Sequence, residues 1–319
     1  MASLTKLEKK QKLAGNLLKF IPNFTRFPPA LFRPLARHID KLLGLAKIKM
    51  NKTEDHWVHL STCNKKIKVR LYTPNQKTGG TLVYFHGGGC VIGDIETHDR
   101  FCRYLAHHGQ MKVISVDYRL APETKFPGPI CDAIDAWNWV HKNAQYLNIS
   151  TKNIGVAGDS AGAYLSALIG LPYEQKGLPV KALKRPKFQL LIYPMLDLRG
   201  DTESYSSFNS GLILTRDLMN YFTAHYLSSP EQAYQPLASP LLSEDLSNSP
   251  PTYILTVEFD PLKDSGMAYS KRLMSLGINV THDHFDDSMH AFISVTRLSK
   301  RAENGVLAIC EALKQFGKF

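Results

Sequence analysis

The stretch that decides the fold is NIGVAGDSAGAYLSALI, residues 153–169. It opens with a short apolar run, typical of a buried strand, and it closes with small apolar residues at helical spacing. Between the two stands Ser160, with Gly158 and Gly162 two residues away on either side. The pattern predicts a strand, a sharp turn and a helix, and it places the serine hydroxyl at the carboxyl end of a sheet.

The two glycines have a steric reason. In so sharp a turn the serine adopts a strained backbone conformation, and side chains at positions 158 and 162 would collide with the strand and the helix. The arrangement is that of a nucleophile elbow, which presents a reactive hydroxyl. An ordinary Gly/Ser turn fits these five residues equally well. Other parts of the chain must therefore distinguish a nucleophile elbow from a simple turn.

Strand-like and helix-like segments alternate along most of the chain. Apolar runs of strand length occur at 56–60, 68–72, 81–85, 112–116, 188–193, 252–257 and 280–285. Helical spacing is found at 99–108, 126–148, 215–228, 264–276 and 299–316. The first two runs predict an antiparallel pair, and the alternation after them predicts a mostly parallel α/β sheet with helices on both faces.

Two parts of the chain stand apart from this alternation. Residues 1–52 carry helical spacing interrupted by prolines, which predicts two or three short helices packed on the body of the protein. Residues 196–246 are polar and rich in turns, and they follow a strand. We expect residues 53–319 to form one domain, with 1–52 and the 196–246 insertion covering its site as a helical cap.

The composition is ordinary for a globular protein, with 44% hydrophobic and 21% charged residues. No uncharged apolar run approaches the roughly 20 residues that span a bilayer. Asn16 and Lys19 interrupt the apolar stretch near the start, so it does not read as a secretory signal. The five cysteines are irregularly spaced and lack a C-x-x-C pair, and we therefore expect reduced thiols in a cytoplasmic protein.

The net charge of +11 is concentrated near the start of the chain. Residues 1–52 hold 12 Lys and Arg against Glu8 and Asp40, whereas the remainder is nearly neutral. Leucines at 4, 7, 13, 17 and 18, with Ile21, would let this basic segment make weak contact with an anionic membrane surface. We favour helices whose apolar stripe covers the body, and no nucleic-acid motif accompanies the charge.

A serine becomes a strong nucleophile only when a base removes its proton and a third group orients the base. Four histidines follow Ser160 in the chain. His282 and His284 lie inside the last strand-like run, and His225 lies in the insertion. His290 lies in the loop after the last strand, where sheets of this kind assemble active sites. It is therefore the predicted base.

Asp260 is the predicted orienting acid, because it follows the strand at 252–257 and precedes a helix that begins near Pro261. An aspartate at this point is also a common helix cap, so a purely structural role competes with the catalytic one. Chain order and the strand-end position favour catalysis. Glu258 is the second choice, and Asp264 is expected to face along the helix.

The motif His86-Gly87-Gly88-Gly89 follows a predicted strand directly. Consecutive glycines let the backbone approach a substrate closely and aim N–H groups at one point. We predict an oxyanion hole formed by the N–H groups of Gly88, Gly89 and Ala161, with His86 ordering the loop. A phosphate-binding loop is disfavoured, because no G-K-[ST] follows.

The sequence resembles the hormone-sensitive-lipase-like (bacterial type IV) carboxylesterases of the α/β-hydrolase superfamily. The matching motifs occur in the family's order across about residues 56–319. They are HGGG at 86–89 with VIG at 91–93 and THD at 97–99, DYRLAPE at 117–123, GDSAG at 158–162, DPLKD at 260–264 and HAF at 290–292. The resemblance implies an α/β-hydrolase fold with an eight-stranded sheet whose second strand is antiparallel, and a helical cap. It also implies serine carboxylesterase activity through an acyl-enzyme on Ser160, without metal or organic cofactor, and often a homodimer formed through the edge strand.

Two positions depart from the family's pattern. Cys90 stands where an aromatic residue is usual, and this bears on the shape of the pocket. Ala291 stands where glycine is usual, and we expect little effect from its methyl group. The side chains near the predicted site indicate a small-molecule ester with an apolar acyl or alcohol group. The candidate pocket residues are Cys90, Tyr118, Tyr193, Phe208, Leu212 and Phe292.

Three other functions are compatible with the sequence. The same triad could cleave an amide, formamide or lactone. The scaffold could bind a ligand without turnover, as in the plant gibberellin receptors that resemble this family, although the intact triad argues against that. Residues 1–52 could make the protein a peripheral membrane lipase. For Asp159, between Gly158 and the serine, the sequence indicates no role beyond local structure.

Overall fold

The computed structural model of the protein describes residues 4–18, 27–31, 33–171 and 174–317. In this part of the chain eight strands form one sheet. The strands are β1 (Lys52–His59), β2 (Lys66–Thr73), β3 (Thr81–Phe85), β4 (Lys112–Asp117), β5 (Ile154–Asp159), β6 (Gln189–Ile192), β7 (Thr252–Phe259) and β8 (Val280–Met289). Their spatial order is β1-β2-β4-β3-β5-β6-β7-β8.

Strand β2 runs antiparallel to both of its neighbours, β1 and β4, and the other neighbouring pairs are parallel. The predicted α/β-hydrolase sheet, including its antiparallel second strand, is therefore confirmed. The central strands β3 and β5 are buried along their whole length. Burial on both faces explains why these two segments read as nearly continuous apolar runs.

Helices connect the strands, because parallel neighbours require a crossover on one face of the sheet. The helices are α1 (Lys9–Leu18), α2 (Arg33–Leu43), α3 (Ile95–Gly109), α4 (Gly128–Lys142), α5 (Ala161–Ile169), α6 (Glu203–Ser207), α7 (Arg216–Tyr226), α8 (Lys263–Ser275) and α9 (Lys300–Phe316). Short 3-10 helices occur at Pro29–Leu31, Glu174–Gly177, Pro230–Tyr234, Pro240–Leu242 and Phe292–Val295.

The two faces of the sheet carry separate hydrophobic clusters. Alternate residues of a strand point to opposite faces, and β3 shows the division clearly. Val83 packs in a cluster with Trp137 of α4, whereas Leu82 packs in another with Leu105 of α3 and Val306 of α9. The sheet is thus covered on both sides, as the alternating pattern predicts.

The last strand is longer than the sequence predicts. β8 continues through Met289, so residues 286–289 are strand rather than the predicted loop. A register shift between Val257 and Phe259 of β7 lets Phe259 pair with Met289. Two residues of β7 here oppose four of β8, so the pairing resumes at Met289 beyond a polar segment that carries no strand pattern. His290 remains the first residue after the strand.

The first helix packs on the body beside the insertion. Leu7 and Ala14 share a hydrophobic cluster with Phe208, Leu212 and Met289. The insertion lies between β6 and β7 and contains α6 and α7. The apolar positions predicted at 17, 18 and 21 lie outside the described side chains.

A second attachment of the N-terminal region uses a charge pair. The guanidinium of Arg33, at the start of α2, donates hydrogen bonds to both carboxylate oxygens of Glu123, at 2.9 and 2.8 Å. It also donates to the backbone carbonyls of Ala121 and Val91, at 2.8 and 3.0 Å. Bidentate Arg–carboxylate pairs fix orientation as well as distance. Glu123 of the DYRLAPE motif therefore ties α2 to the loops beside the site.

Two further features concern the helices and the cysteines. None of the helices in the described ranges combines the length and the apolarity that crossing a bilayer requires. All five cysteines are free thiols, and four of them are buried.

Candidate active site

Three side chains from three strand ends meet at one point. Ser160 follows β5, Asp260 follows β7 and His290 follows β8. Nε2 of His290 lies 3.0 Å from Oγ of Ser160, and Nδ1 of His290 lies 2.7 Å from Oδ2 of Asp260. Neighbouring parallel strands end at the same edge of a sheet, which is why residues far apart in sequence converge here.

The turn at Ser160 has strained backbone geometry. Its φ is 54° and its ψ is −117°, a combination that L-residues rarely adopt. A Cβ on Gly158 would collide with the carbonyl carbon of Gly162, and a Cβ on Gly162 would collide with the carbonyl oxygen of Phe85. Both glycines are therefore required by close backbone approach, and the second brings the elbow against the end of β3.

Asp260 uses its two carboxylate oxygens for different partners. Oδ2 faces the Nδ1–H of His290, while Oδ1 accepts a hydrogen bond from the backbone N–H of Leu262 at 2.8 Å. The second bond prevents rotation of the carboxylate and ties it to the turn before α8. Orienting the histidine and organising the helix start are thus roles that one side chain can combine.

The competing acids have other partners. Glu258 pairs with Nζ of Lys263 and with Nε2 of His284, each at 3.1 Å. Asp264 accepts a hydrogen bond from the backbone N–H of Ser204 in α6 at 2.7 Å. The geometry therefore brings Asp260 to the histidine, whereas Glu258 and Asp264 hold surrounding structure.

The competing histidines point elsewhere as well. His282 and His284 both lie 2.9 Å from Oγ1 of Thr256. Nδ1 of His225 lies 2.8 Å from the carbonyl oxygen of Tyr221, one helical turn earlier. Of the four histidines that follow the serine, the structure brings only His290 to it.

The glycine loop after β3 presents free backbone donors. Gly88 and Gly89 have φ values of 114° and 63°. The carbonyl of Gly88 accepts hydrogen bonds from the N–H groups of Val91 and Ile92, at 3.0 and 2.9 Å. No acceptor within the described ranges pairs with the N–H of Gly88 or Gly89, and Ala161 opens α5, where helical N–H groups have no intrahelical partner. These three donors are therefore available to a developing oxyanion.

An aromatic ring that the sequence did not reveal covers this loop. A Cβ on Gly89 would collide with the ring of Phe222 in α7, so the ring packs directly on the glycine backbone. Phe222 is itself buried. An aromatic residue in a helical insertion carries no sequence signal that it will reach a loop more than a hundred residues earlier. Phe222 is a further candidate for contact with substrate.

The side chain of His86 supports the glycine loop through a stacked ring and hydrogen bonds. Its ring stacks on Tyr118 with 4.3 Å between centroids, and the hydroxyl of Tyr118 donates to the carbonyl of His86 at 2.7 Å. Its Nδ1–H donates to the carbonyl oxygen of Gly87 at 2.8 Å. Burial, reinforced by the neighbouring His98, lowers the pKa of His86 to about 4. The imidazole is therefore neutral near pH 7 and supports the loop.

Two of the predicted pocket residues lie beside His290. The ring centroid of Tyr193 is 4.4 Å from that of His290 and 5.9 Å from that of Phe292. Both aromatic residues are almost completely buried. They form an apolar wall on one side of His290, and their contact with substrate remains a prediction.

The other predicted pocket residues occupy separate places. Cys90 is buried beside Tyr226, and burial raises the pKa of its thiol. The ring of Tyr118 stacks on the ring of His86. Phe208 and Leu212 belong to the cluster that packs against α1. In this closed arrangement all four are at most 4% exposed, so the structure does not bring the six candidates together as one lining.

The assembled groups support acyl transfer. A nucleophile, a base with an orienting carboxylate, and convergent N–H donors are the parts that a tetrahedral oxyanion intermediate requires. Across the residues that the structure describes, no cluster of three or more His, Cys, Asp or Glu side chains is placed to hold a metal ion.

Comparison with known proteins agrees with this geometry. A family model described as "alpha/beta hydrolase fold" matches residues 82–294. An ethyl acetate hydrolase of Pseudomonas putida is 35% identical over 78% of this chain and 78% of its own length. An arylesterase of Saccharolobus solfataricus is 34% identical over 88% of this chain and 90% of its own. A solved structure of a hyperthermophilic esterase from Pyrobaculum calidifontis has a TM-score of 0.88 and 33% identity, covering 97% of this chain and 98% of that one. The chain therefore belongs to the α/β-hydrolase family, in its hormone-sensitive-lipase-like branch.

Proposed function

We propose that this protein is a serine carboxylesterase in which Ser160, His290 and Asp260 form the catalytic triad. The observation that supports this assignment is the continuous chain of contacts from Oγ of Ser160 through both ring nitrogens of His290 to Oδ2 of Asp260, at 3.0 and 2.7 Å. Hydrolysis of carboxylic esters is the activity that the family relationship supports.

The proposed reaction has two halves. Oγ of Ser160 attacks the ester carbonyl while Nε2 of His290 takes the hydroxyl proton, and Asp260 stabilises the imidazolium that forms. The carbonyl oxygen becomes an oxyanion held by the N–H groups of Gly88, Gly89 and Ala161. Collapse of this intermediate expels the alcohol, which receives the proton from His290. Water then attacks the acyl-enzyme by the same steps, releasing the acid and restoring Ser160.

Replacement of the nucleophile tests this proposal. We expect Ser160→Ala to reduce hydrolysis of a p-nitrophenyl ester by about 10⁶-fold in kcat, as in other serine hydrolases that lose the nucleophile. Ser270→Ala, which removes a buried hydroxyl from α8, is the matched control and should retain activity. A folded Ser160→Ala protein with ordinary turnover would refute the assignment.

The substrate class is a finer proposal. The relatives include an ethyl acetate hydrolase and an arylesterase, which suggests small acyl groups and varied alcohols. The buried aromatic residues around His290 favour apolar substrates. We therefore propose esters of short to medium chain length. A panel of p-nitrophenyl esters from acetate to palmitate, run beside matched anilides and lactones, distinguishes this from amide or lactone cleavage and from a binding protein without turnover.

Three further expectations stay predictions. Strand β8 lies at the edge of the sheet, where a second copy could pair, and light scattering would detect a homodimer. Weak contact of residues 1–52 with anionic membranes would appear as co-sedimentation with vesicles that is lost when the segment is removed. The five free thiols fit a cytoplasmic location, which fractionation of cells would test.

A further inference from the structure

The residue before the nucleophile is a buried carboxylate with an unusual set of partners. Asp159 ends β5 and is 5% exposed. Its Oδ1 accepts a hydrogen bond from the backbone N–H of Gly87 at 2.9 Å and another from the hydroxyl of Tyr84. The same oxygen lies 3.3 Å from Nε2 of His98. Three donors from β3, the glycine loop and α3 therefore converge on one carboxylate oxygen.

The donors are arranged to stabilise an ionised carboxylate. Burial opposes the charged form, yet His98 and Tyr84 hold the pKa of Asp159 below its usual value. Oγ1 of Thr97 lies 2.8 Å from Nδ1 of His98, and it therefore holds the imidazole with Nε2 toward Asp159. Thr97 is itself fixed by the capping box that begins α3. The histidine of the THD motif is thus aimed at the carboxylate by the start of its own helix.

The carboxylate can approach the loop only because the loop begins with glycine. A Cβ on Gly87 would collide with Oδ2 of Asp159. Gly87 is followed by two glycines with positive φ, and such residues lose the most conformational freedom when they are ordered. The charge-assisted hydrogen bond from Gly87 to Asp159 restricts the loop where it leaves β3. Without that bond, the donors of Gly88 and Gly89 would sample a wider range of directions.

We infer that Asp159 is a positioning residue that fixes the oxyanion loop relative to the nucleophile. Asp159 precedes Ser160 on the elbow and binds Gly87 at the start of the loop, so one side chain sets the distance between the attacking oxygen and two of the three oxyanion donors. Tyr84 and His98 hold the carboxylate in place and do not touch the reacting atoms. This inference rests on the triad and oxyanion hole proposed above.

The test compares two substitutions of Asp159. Asp159→Leu keeps the approximate size and removes every acceptor, and we expect kcat to fall about 10²-fold with KM little changed, because misplaced donors are felt in the transition state. Asp159→Asn retains an amide oxygen opposite Gly87, so it should restore part of the loss and remain within about tenfold of the parent protein.

A transition-state analogue separates positioning from general damage. A trifluoromethyl ketone adds the serine and places an oxyanion in the hole, so its inhibition constant should rise in proportion to the fall in kcat/KM across the Asp159 variants. The matched control is Asp135→Asn, because Asp135 is also a buried carboxylate that accepts a backbone N–H, from Ser61 at 2.8 Å. This control lies outside the site and should leave kcat and ketone affinity unchanged.

The outcomes are distinct. A folded Asp159→Leu protein with parental kcat, or one that loses kcat without losing ketone affinity, overturns the inference. If Asp159→Leu does not fold, Asp159→Asn and Tyr84→Phe decide, since both must lower kcat and ketone affinity together. Failure of the proposed function itself would show differently, as turnover that persists in Ser160→Ala.

Discussion

The side-chain oxygen of Gln11 accepts a hydrogen bond from the backbone N–H of Met289 at 3.0 Å. Gln11 lies on α1 and is completely buried, and Met289 is the residue directly before His290, the proposed base. The amide nitrogen of Gln11 also lies 3.3 Å from Oγ of Ser288. The N-terminal helix is therefore joined by a polar clamp to the strand that carries His290.

Breaking this clamp should affect both stability and turnover. In Gln11→Ala the N–H of Met289 is left buried and unpaired, which costs about 1–3 kcal/mol in the free energy of unfolding. Because Met289 adjoins His290, we expect kcat to fall about tenfold as well. Urea denaturation and steady-state kinetics measure the two effects. Lys10→Ala, an exposed change on the same helix, is the control. Parental kinetics in Gln11→Ala would show that the clamp is purely structural.

The choice of orienting acid is open to a direct comparison. We expect Asp260→Asn to lower kcat about 10⁴-fold, because an amide cannot stabilise the imidazolium and favours the wrong tautomer of the histidine. Glu258→Gln should stay within about threefold of the parent protein, since Glu258 is engaged with Lys263 and His284. Ester hydrolysis by the two variants measures the difference. Equal losses, or a larger loss for Glu258→Gln, would reverse the assignment.

Phe222 should influence which esters are accepted. Its ring packs on Gly89 in the glycine loop after β3, so Phe222→Ala opens space beside the proposed oxyanion hole. We expect the optimum of kcat/KM to shift to longer or bulkier esters, with acetate turnover reduced because the loop loses a packing partner. Rates across a series of p-nitrophenyl esters test this. Tyr221→Phe, the preceding residue of α7, should keep the parental profile. An unchanged profile in Phe222→Ala would place the ring outside the substrate path.

The free energy of unfolding should decrease in mild acid, because His86 is buried in its neutral form. Its folded pKa of about 4 lies below the unfolded value of 6.5, so between these pH values the unfolded chain binds more protons. The stability that neutral His86 contributes is complete above pH 6.5 and is lost as the pH falls toward 4. As the pH falls from 6.5 to 4, the free energy of unfolding should decrease more steeply in the parent protein than in His86→Gln. The two slopes should differ by about 1.4 kcal/mol per pH unit.

Urea unfolding at several pH values between 4 and 7.5 checks this slope. The exposed His59→Gln change serves as the control and should follow the parent curve. Parallel curves for the parent and His86→Gln would contradict the expectation.

Sequence patterns predicted the parts of the molecule that depend on local order. Strand-length apolar runs and the glycines around Ser160 carry their structural reason within a few residues, and the motifs at the strand ends follow from the direction of a parallel sheet. The end of β8 was not predicted, because its last residues are polar and its pairing with β7 resumes only after an irregularity in β8.

The supporting contacts of the site could not be predicted in the same way. Gln11, Phe222 and the partners of Asp159 act through side chains that meet only after the chain has folded. A buried glutamine in a basic helix, or an aromatic ring in an insertion, looks like any other helical residue in sequence. The partners of such residues are set by how elements pack, and no local period encodes that choice.

His290 directly follows β8, which is an edge strand of the sheet. An edge strand has a neighbour on one side, and for β8 this neighbour is β7. Edge elements open with less free energy than the centre of a sheet. A molecule in which the end of β8 has separated keeps Ser160 in its elbow and loses only its proposed base, His290. Mild heating should therefore abolish hydrolysis before circular dichroism reports any melting, and thermal inactivation of this enzyme would measure the opening of one strand.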